Sequence, residues 1–311
     1  MFSNLPPFLL FRPAVIFCAA VLLLIVILQV AGAAGGQRLL AVDVCPLGCT
    51  FSAVQPAIDA AAPGDLIRVA QGIYVSSIII TKTVILQGGY SGPPSWTRNT
   101  SVYLTTLQGS GSGSVITVTS GFSPTVDGFT ITGGAASLGG GIRIDNSSPV
   151  FSHNIITNNL ATTYGGGVYM IGATTSPILD SNYIISNSTV GNGGAIFIDD
   201  NSQPVIVNNL IAKNLAGSNG GGIYIDFNSA PTIVNNTVAD NNLGPGWANE
   251  GIALYNSPSP IIVNNNIVTH TFGIRNLGMP VSATIDYNNV WMCSSACYTG
   301  VISGSNDISV D

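Results

Sequence analysis

The stretch GGAIFIDDNSQPVIVNNLIAKNLAGSN, residues 193–219, is followed at once by a variant of its own opening, GGGIYI at Gly220. The same opening occurs upstream as GGGIRI at Gly139 and GGGVYM at Gly165, and downstream in the degenerate form NEGIAL at Asn249. Between Gly139 and Asn276 the chain repeats about every 27 residues, and internal repetition of that length is the signature of a stacked, solenoidal architecture. Each unit then carries a proline (Pro149, Pro177, Pro204, Pro231, Pro260), an asparagine five places later (Asn154, Asn182, Asn209, Asn236, Asn265), and a second polar beat at Asn159, Asn187, Asn214, Asn241 and His270.

Between these beats lie short apolar runs of period two, too short and of the wrong period for helices. We call them the glycine, proline and asparagine strands. Aliphatic residues recur at fixed places in them: Ile142, Val168, Ile196, Ile223 and Ile252 after the glycines; Phe151, Leu179, Ile206, Ile233 and Ile262 after the prolines; Ile156, Ile184, Ile211, Val238 and Ile267 after the first asparagines. Equivalent residues of successive coils in a parallel solenoid lie about 4.8 Å apart, so these positions predict stacked files that a single coil could not bury. The expected fold is all-β: a right-handed parallel β-helix with three short strands per coil.

The glycine beats and the Pro-x-x-x-Asn-Asn beats resemble the repeats of the pectin-lyase-like superfamily of parallel β-helices. Phe151-Ser-His-Asn154 and Gly193-Gly-Ala-Ile196 are also similar to the two tetrapeptides of polymorphic outer-membrane adhesins. The resemblance extends to the entry segment, Phe51–Tyr90. It implies the fold; lyases, hydrolases, epimerases and non-catalytic adhesins all share it, so it leaves activity open.

The domain organisation follows. Residues 1–33 read as an export segment, because Ala14–Ala34 is almost uninterrupted apolar sequence after Arg12, with Ala31-Gly-Ala33 as a small-x-small cleavage site. The run reads either as a bacterial-type signal peptide or as an uncleaved membrane anchor, so the expected location is secreted or cell-surface, with membrane contact only through this segment. Residues 34–50 form a lead-in containing Cys45-x-x-x-Cys49. Residues 51–63 read as a capping helix in which Phe51, Val54, Ile58 and Ala61 share a face, Ser52 and Gln55 have the spacing of a capping box, and Pro63-Gly64 ends the run. Residues 64–311 form the solenoid, with regular repeats over 139–276 and a C-terminus at Ile308–Asp311 that reads as abbreviated.

Charged residues make up only 7% of the chain and hydrophobic ones 46%, against roughly 25% charged in ordinary domains, which excludes disorder. The net charge is −6 with eight basic residues scattered singly, so there is no basic stripe for a nucleic acid. In an oxidising compartment Cys45 is expected to pair with Cys49 and Cys293 with Cys297. A four-thiolate metal site is excluded because the pairs flank some eight coils, roughly 40 Å of stack.

The asparagine columns suit left-handed turns and side-chain ladders along the stack. The outward places of the glycine strands hold Arg143, Tyr169, Phe197 and Tyr224, with Arg275 resuming the column after Ala253, and two residues further on Asp145, Asp199 and Asp226. Aromatic rings beside carboxylates suit sugar recognition, making Tyr169, Phe197, Tyr224, Asp199 and Asp226 candidate ligand-binding residues. Asp199, Asp226, Asp145 and Arg143 are the candidate catalytic set, through two carboxylates for a hydrolase or an acid–base pair for a lyase. Polygalacturonase-like Asn-Thr-Asp, Gly-His-Gly and Arg-Ile-Lys motifs are missing. No cofactor is called for, Ca2+ on the acidic column being the one cation considered. The expected partner is a polysaccharide or a cell-surface component, with passive scaffolding as a third role.

Overall fold

The computed structural model describes residues 41–243, 249–256, 259–278 and 281–310. The export segment called over residues 1–33 lies outside them, and among the described residues no helix is long and apolar enough to cross a membrane. The described chain is a parallel β-helix. Proline strands form a ten-stranded sheet running from Ala41–Val44 through Val150–Ser152, Ile178–Asp180 and Val205–Val207 to Thr284–Asp286. Glycine and asparagine strands are joined in a seventeen-stranded sheet.

Register follows the repeats: Ile142 pairs with Val168, Val168 with Ile196, Ile196 with Ile223 and Ile223 with Ile252. These five residues, and the files headed by Ile144, Phe151 and Ile156, have no solvent exposure. Each fully buried aliphatic contributes about 1.5–3 kcal/mol, and because every file is continuous the coils are stable only as a stack. At Gly139, Gly165, Gly193 and Gly220 the chain turns with φ between +64° and +73°. A Cβ at Gly165 would lie 2.5 Å from the Val168 carbonyl, so both conformation and space require glycine there.

The structure adds a fourth short strand to five successive coils. Ala135–Leu138, Leu160–Tyr164, Ser188–Thr189, Leu215–Ala216 and Asn242–Leu243 pair in parallel as a five-stranded sheet after the second polar beat. Its core-facing residues are as small as Ala161, Thr189 and Ala216, so it leaves no aliphatic period to read.

The asparagine beats divide their two expected roles between neighbours. The left-handed residue is the one before each ladder position: His153, Ser181, Asn208, Asn235 and Asn264 at one corner, Asn158, Ser186, Lys213, Asp240 and Thr269 at the other. The asparagines that follow are buried and bond along the stack. Asn209, for example, donates from Nδ2 to the Leu179 carbonyl (2.8 Å) and to Asn236 Oδ1 (3.0 Å), and accepts from the Asn182 backbone N–H (2.8 Å). One ladder ends on Asp307, whose Oδ1 accepts the Asn288 N–H at 2.7 Å. The other ends on His270, whose Nε2 faces the Asn241 N–H at 3.3 Å.

At the N-terminal end, helix Val54–Ala60 buries Val54, Ala57 and Ile58 against the first coil. The anticipated capping box is absent: Ala53 is the N-cap and makes no side-chain bond. Gln55 instead pairs with the outermost strand edge, its Oε1 accepting the Ile79 N–H (2.8 Å) and its Nε2 donating to the Ile79 carbonyl (3.1 Å). That satisfies backbone groups which an open sheet end would leave unpaired. Part of the expected lead-in is itself a strand, Ala41–Val44, paired with Leu66–Val69. Cys45 and Cys49 are bonded beside it, with Cα atoms 5.6 Å apart, and Cys293 and Cys297 are bonded at the other end, with Cα atoms 5.2 Å apart.

Candidate functional site

The outward column of the glycine strands has the register its spacing implies: Arg143 pairs with Tyr169, Tyr169 with Phe197, Phe197 with Tyr224, Tyr224 with Ala253 and Ala253 with Arg275. It is not the open aromatic face expected for a sugar. Tyr169, Phe197 and Tyr224 are only 3%, 1% and 4% exposed. Tyr164, delivered by the fourth strand, stacks on Phe197 at 4.5 Å, and Leu138, Ile171 and Leu277 pack against the same cluster. Phe197 also stacks with Tyr169 at 5.7 Å and with Tyr224 at 5.1 Å. The rings form a second apolar core outside the solenoid, and a sugar cannot lie across them as they stand.

The neighbouring acids are committed as well. Asp199 Oδ2 accepts the Tyr169 hydroxyl at 2.9 Å and its Oδ1 accepts the Asp200 N–H at 2.9 Å, while Arg143 donates to Asp145 at 3.1 Å. Burial pushes the Asp226 carboxyl above its usual range, against the Phe227 N–H that stabilises the charged form. The same burial, reinforced by Asp199, raises the Tyr169 hydroxyl. Asp199 is thus a hydrogen-bond partner of the ring stack, and Asp226 accepts the adjacent Phe227 N–H. Among the described residues no three His, Cys, Asp or Glu side chains converge as a metal site. Arg143 borders a separate cleft of about 500 Å³ with Thr117, Leu138 and Thr162, where the column opens.

Glu250, part of the degenerate repeat, is a functional-looking residue that the repeat pattern hides. It is fully buried, accepts the Gly220 N–H (3.0 Å) and pairs with Arg275 (2.9 Å). Burial raises its pKa while these two partners oppose the shift. It closes the far end of the ring column and has no solvent-facing surface.

A larger groove, about 550 Å³, runs along the corner between proline and asparagine strands. One side is the file of left-handed residues His153, Ser181, Asn208 and Asn235; the floor is formed by the outward residues Ile155, Tyr183, Leu210 and Thr237; Thr100, Ser101 and Leu104, from the connection between strands Ile85–Tyr90 and Thr105–Gln108, form the wall. The wall is pinned at both ends. Arg68, paired with Asp43, lies 4.6 Å over the Trp96 ring, and Arg98 bonds Asp127 at 2.8 Å. The polar row is equally held: His153 Nδ1 lies 3.1 Å from Asp127 Oδ1, and Asp180 Oδ1 accepts Ser181 Oγ at 2.9 Å and Asn208 Nδ2 at 3.1 Å. Tyr183 stands 53% exposed among them.

A family model described as the right-handed beta helix region matches residues 112–290, more than half of the chain. The chain belongs to this right-handed β-helix family. No curated protein matches it. Among solved structures, the crystal structure of alginate lyase from Paenibacillus sp. str. FPU-7 is similar over 87% of this chain and 98% of that chain, with 13% identity and a TM-score of 0.41. Within the β-helix family's scaffold, accessible clefts of this member lie at the Arg143 end of the glycine face and along the His153–Asn235 corner. The repeat pattern does not mark the second, because its left-handed residues look like turn punctuation and its wall comes from Thr100, Ser101 and Leu104, remote in sequence.

Proposed function

We propose that this protein is exported and binds an extended, hydroxyl-rich chain, a polysaccharide by chemistry, in the His153–Asn235 groove without cleaving it. The observation that carries this reading is the alternation in that groove: fixed side-chain donors and acceptors along one side, and the exposed Tyr183 ring flanked by Ile155 and Leu210 on the floor. Sugar hydroxyls need the first and apolar pyranose faces the second. Both recur at the coil spacing of about 4.8 Å, so a polymer lying along the axis meets the same chemistry repeatedly. Export is supported by the apolar N-terminal run and by the two bonded cysteine pairs.

The test is a polysaccharide panel scored for both binding and product release. Tyr183→Ala is expected to weaken binding by about 1–3 kcal/mol, as removal of a stacking anchor does, and unchanged affinity would remove the groove from consideration. A second reading is favoured by one contact: His153, oriented through Nδ1 by Asp127, leaves its other ring nitrogen for proton transfer. Product release that His153→Asn abolishes while binding persists would establish an enzyme.

A further inference from the structure

We infer that the groove selects uncharged polysaccharides and rejects uronate polymers; the inference rests on the groove reading above. Recognition of a carboxylate on every sugar would require cations with unused donors facing the chain, most effectively arginine forks. The described arginines already have carboxylate partners: Arg68 with Asp43, Arg98 with Asp127, Arg143 with Asp145 and Arg275 with Glu250, at 2.8 to 3.1 Å. Lys82 is turned onto the last carbonyls of the capping helix, including those of Ile58 and Ala61. Lys213 is exposed but occupies the opposite corner, beyond Ala212, and does not line the groove.

The groove's own charges point the same way. Arg98 offsets Asp127, whereas the Asp180 carboxylate accepts from the neutral donors of Ser181 and Asn208, both of which line the groove. Between Asp180 and Asn235 the lining is hydroxyl, amide, ring and aliphatic. Hydroxyls of a neutral sugar can satisfy these groups, while a uronate would bring its charge toward Asp180 with no lysine or arginine lining the groove to receive it. Such like-charge juxtaposition acts chiefly on selectivity between partners, as specificity by repulsion does.

The experiment measures binding of the full exported chain to a soluble neutral β-glucan, a galactomannan and polygalacturonate, at low and at physiological salt, for wild type, Asp180→Asn and Tyr183→Ala. The Asp180→Asn change keeps an oxygen to accept from Ser181 and Asn208, removes the charge and puts an NH2 donor in place of the second oxygen. At least one neutral polymer is expected to bind about tenfold or more tighter than polygalacturonate at low salt, with the gap narrowing as salt screens the repulsion. Asp180→Asn should raise polygalacturonate affinity severalfold relative to that for the neutral polymers. Polygalacturonate binding as tightly as the neutral polymers, or most tightly at low salt, overturns the selectivity while leaving the groove reading standing. Binding to none of the three, or binding untouched by Tyr183→Ala, overturns the groove reading and this inference with it.

Discussion

Replacing Asn209 by alanine tests whether the buried amide ladder holds the coils in register. The substitution removes the Nδ2 donor from the Leu179 carbonyl (2.8 Å), the Val207 carbonyl (2.9 Å) and Asn236 Oδ1 (3.0 Å), and removes the acceptor from the Asn182 N–H (2.8 Å). The Asn236 oxygen still receives the backbone N–H of residue 209, so the chief losses are the donor on Asn182 and the carbonyl of Leu179. At about 1–3 kcal/mol for each buried polar group left unmet, the cost is about 2–6 kcal/mol. The neighbour Asn208 is the control. It holds φ at +59° and makes one exposed bond to Asp180, so Asn208→Ala should cost about 1 kcal/mol through the left-handed backbone, and Asn208→Gly less. Urea unfolding followed by far-ultraviolet circular dichroism ranks the three variants. If Asn209→Ala is no more destabilising than Asn208→Ala, the ladder does not contribute as argued.

Phe197→Ala should cost about 3–5 kcal/mol by opening the ring stack, readable as a lowered urea midpoint, while leaving polysaccharide affinity unchanged in the folded protein. Burial lowers the His270 pKa from 6.5 to about 4. The unfolded chain therefore takes up this proton first on acidification, and stability present above pH 6.5 is lost toward pH 4, by roughly 3 kcal/mol. Glu250 and Asp226, whose pKa values burial raises, act in the opposite direction. Comparing wild type with His270→Asn, which restores the ladder residue, isolates the histidine: the variant should lose less stability between pH 7 and pH 4.5, and equal losses would refute its role. Non-reducing peptide mapping of exported protein should recover Cys45 with Cys49 and Cys293 with Cys297; a cross-link between the two ends would contradict the fold.

The solenoid is legible because its determinants are periodic and local. Ile142, Val168, Ile196, Ile223 and Ile252 occupy one place in the repeat, and a one-residue slip would turn all of them outward. The same periodicity locates the Arg143–Tyr224 column but cannot reveal its environment. Whether Phe197 meets solvent depends on Tyr164, which lies in a strand with no aliphatic period, so an outward position did not mean an exposed one. Gln55 likewise has the spacing of a cap, yet the strand edge at Ile79 competes for its amide and wins. The groove depends on Thr100, Ser101 and Leu104 returning to lie beside His153 and Ser181, a long-range contact anchored by Arg68 on Trp96 and Arg98 on Asp127, and no repeat encodes it.

Because Asp307 can only accept where Asn288 donates, the amide ladder has a direction and a defined last rung. A segment such as residues 193–219 carries one rung of each ladder, Asn209 and Asn214, and brings as many donors as it needs acceptors. A tandem copy inserted between two asparagine rungs would therefore be neutral in hydrogen bonds, whereas a rung added beyond Asp307 would confront a carboxylate with another oxygen. Gene duplication can lengthen such a protein from within. Each inserted copy would extend the row of left-handed corner residues and the floor beside it by about 4.8 Å, whereas the wall of Thr100, Ser101 and Leu104 would keep its length.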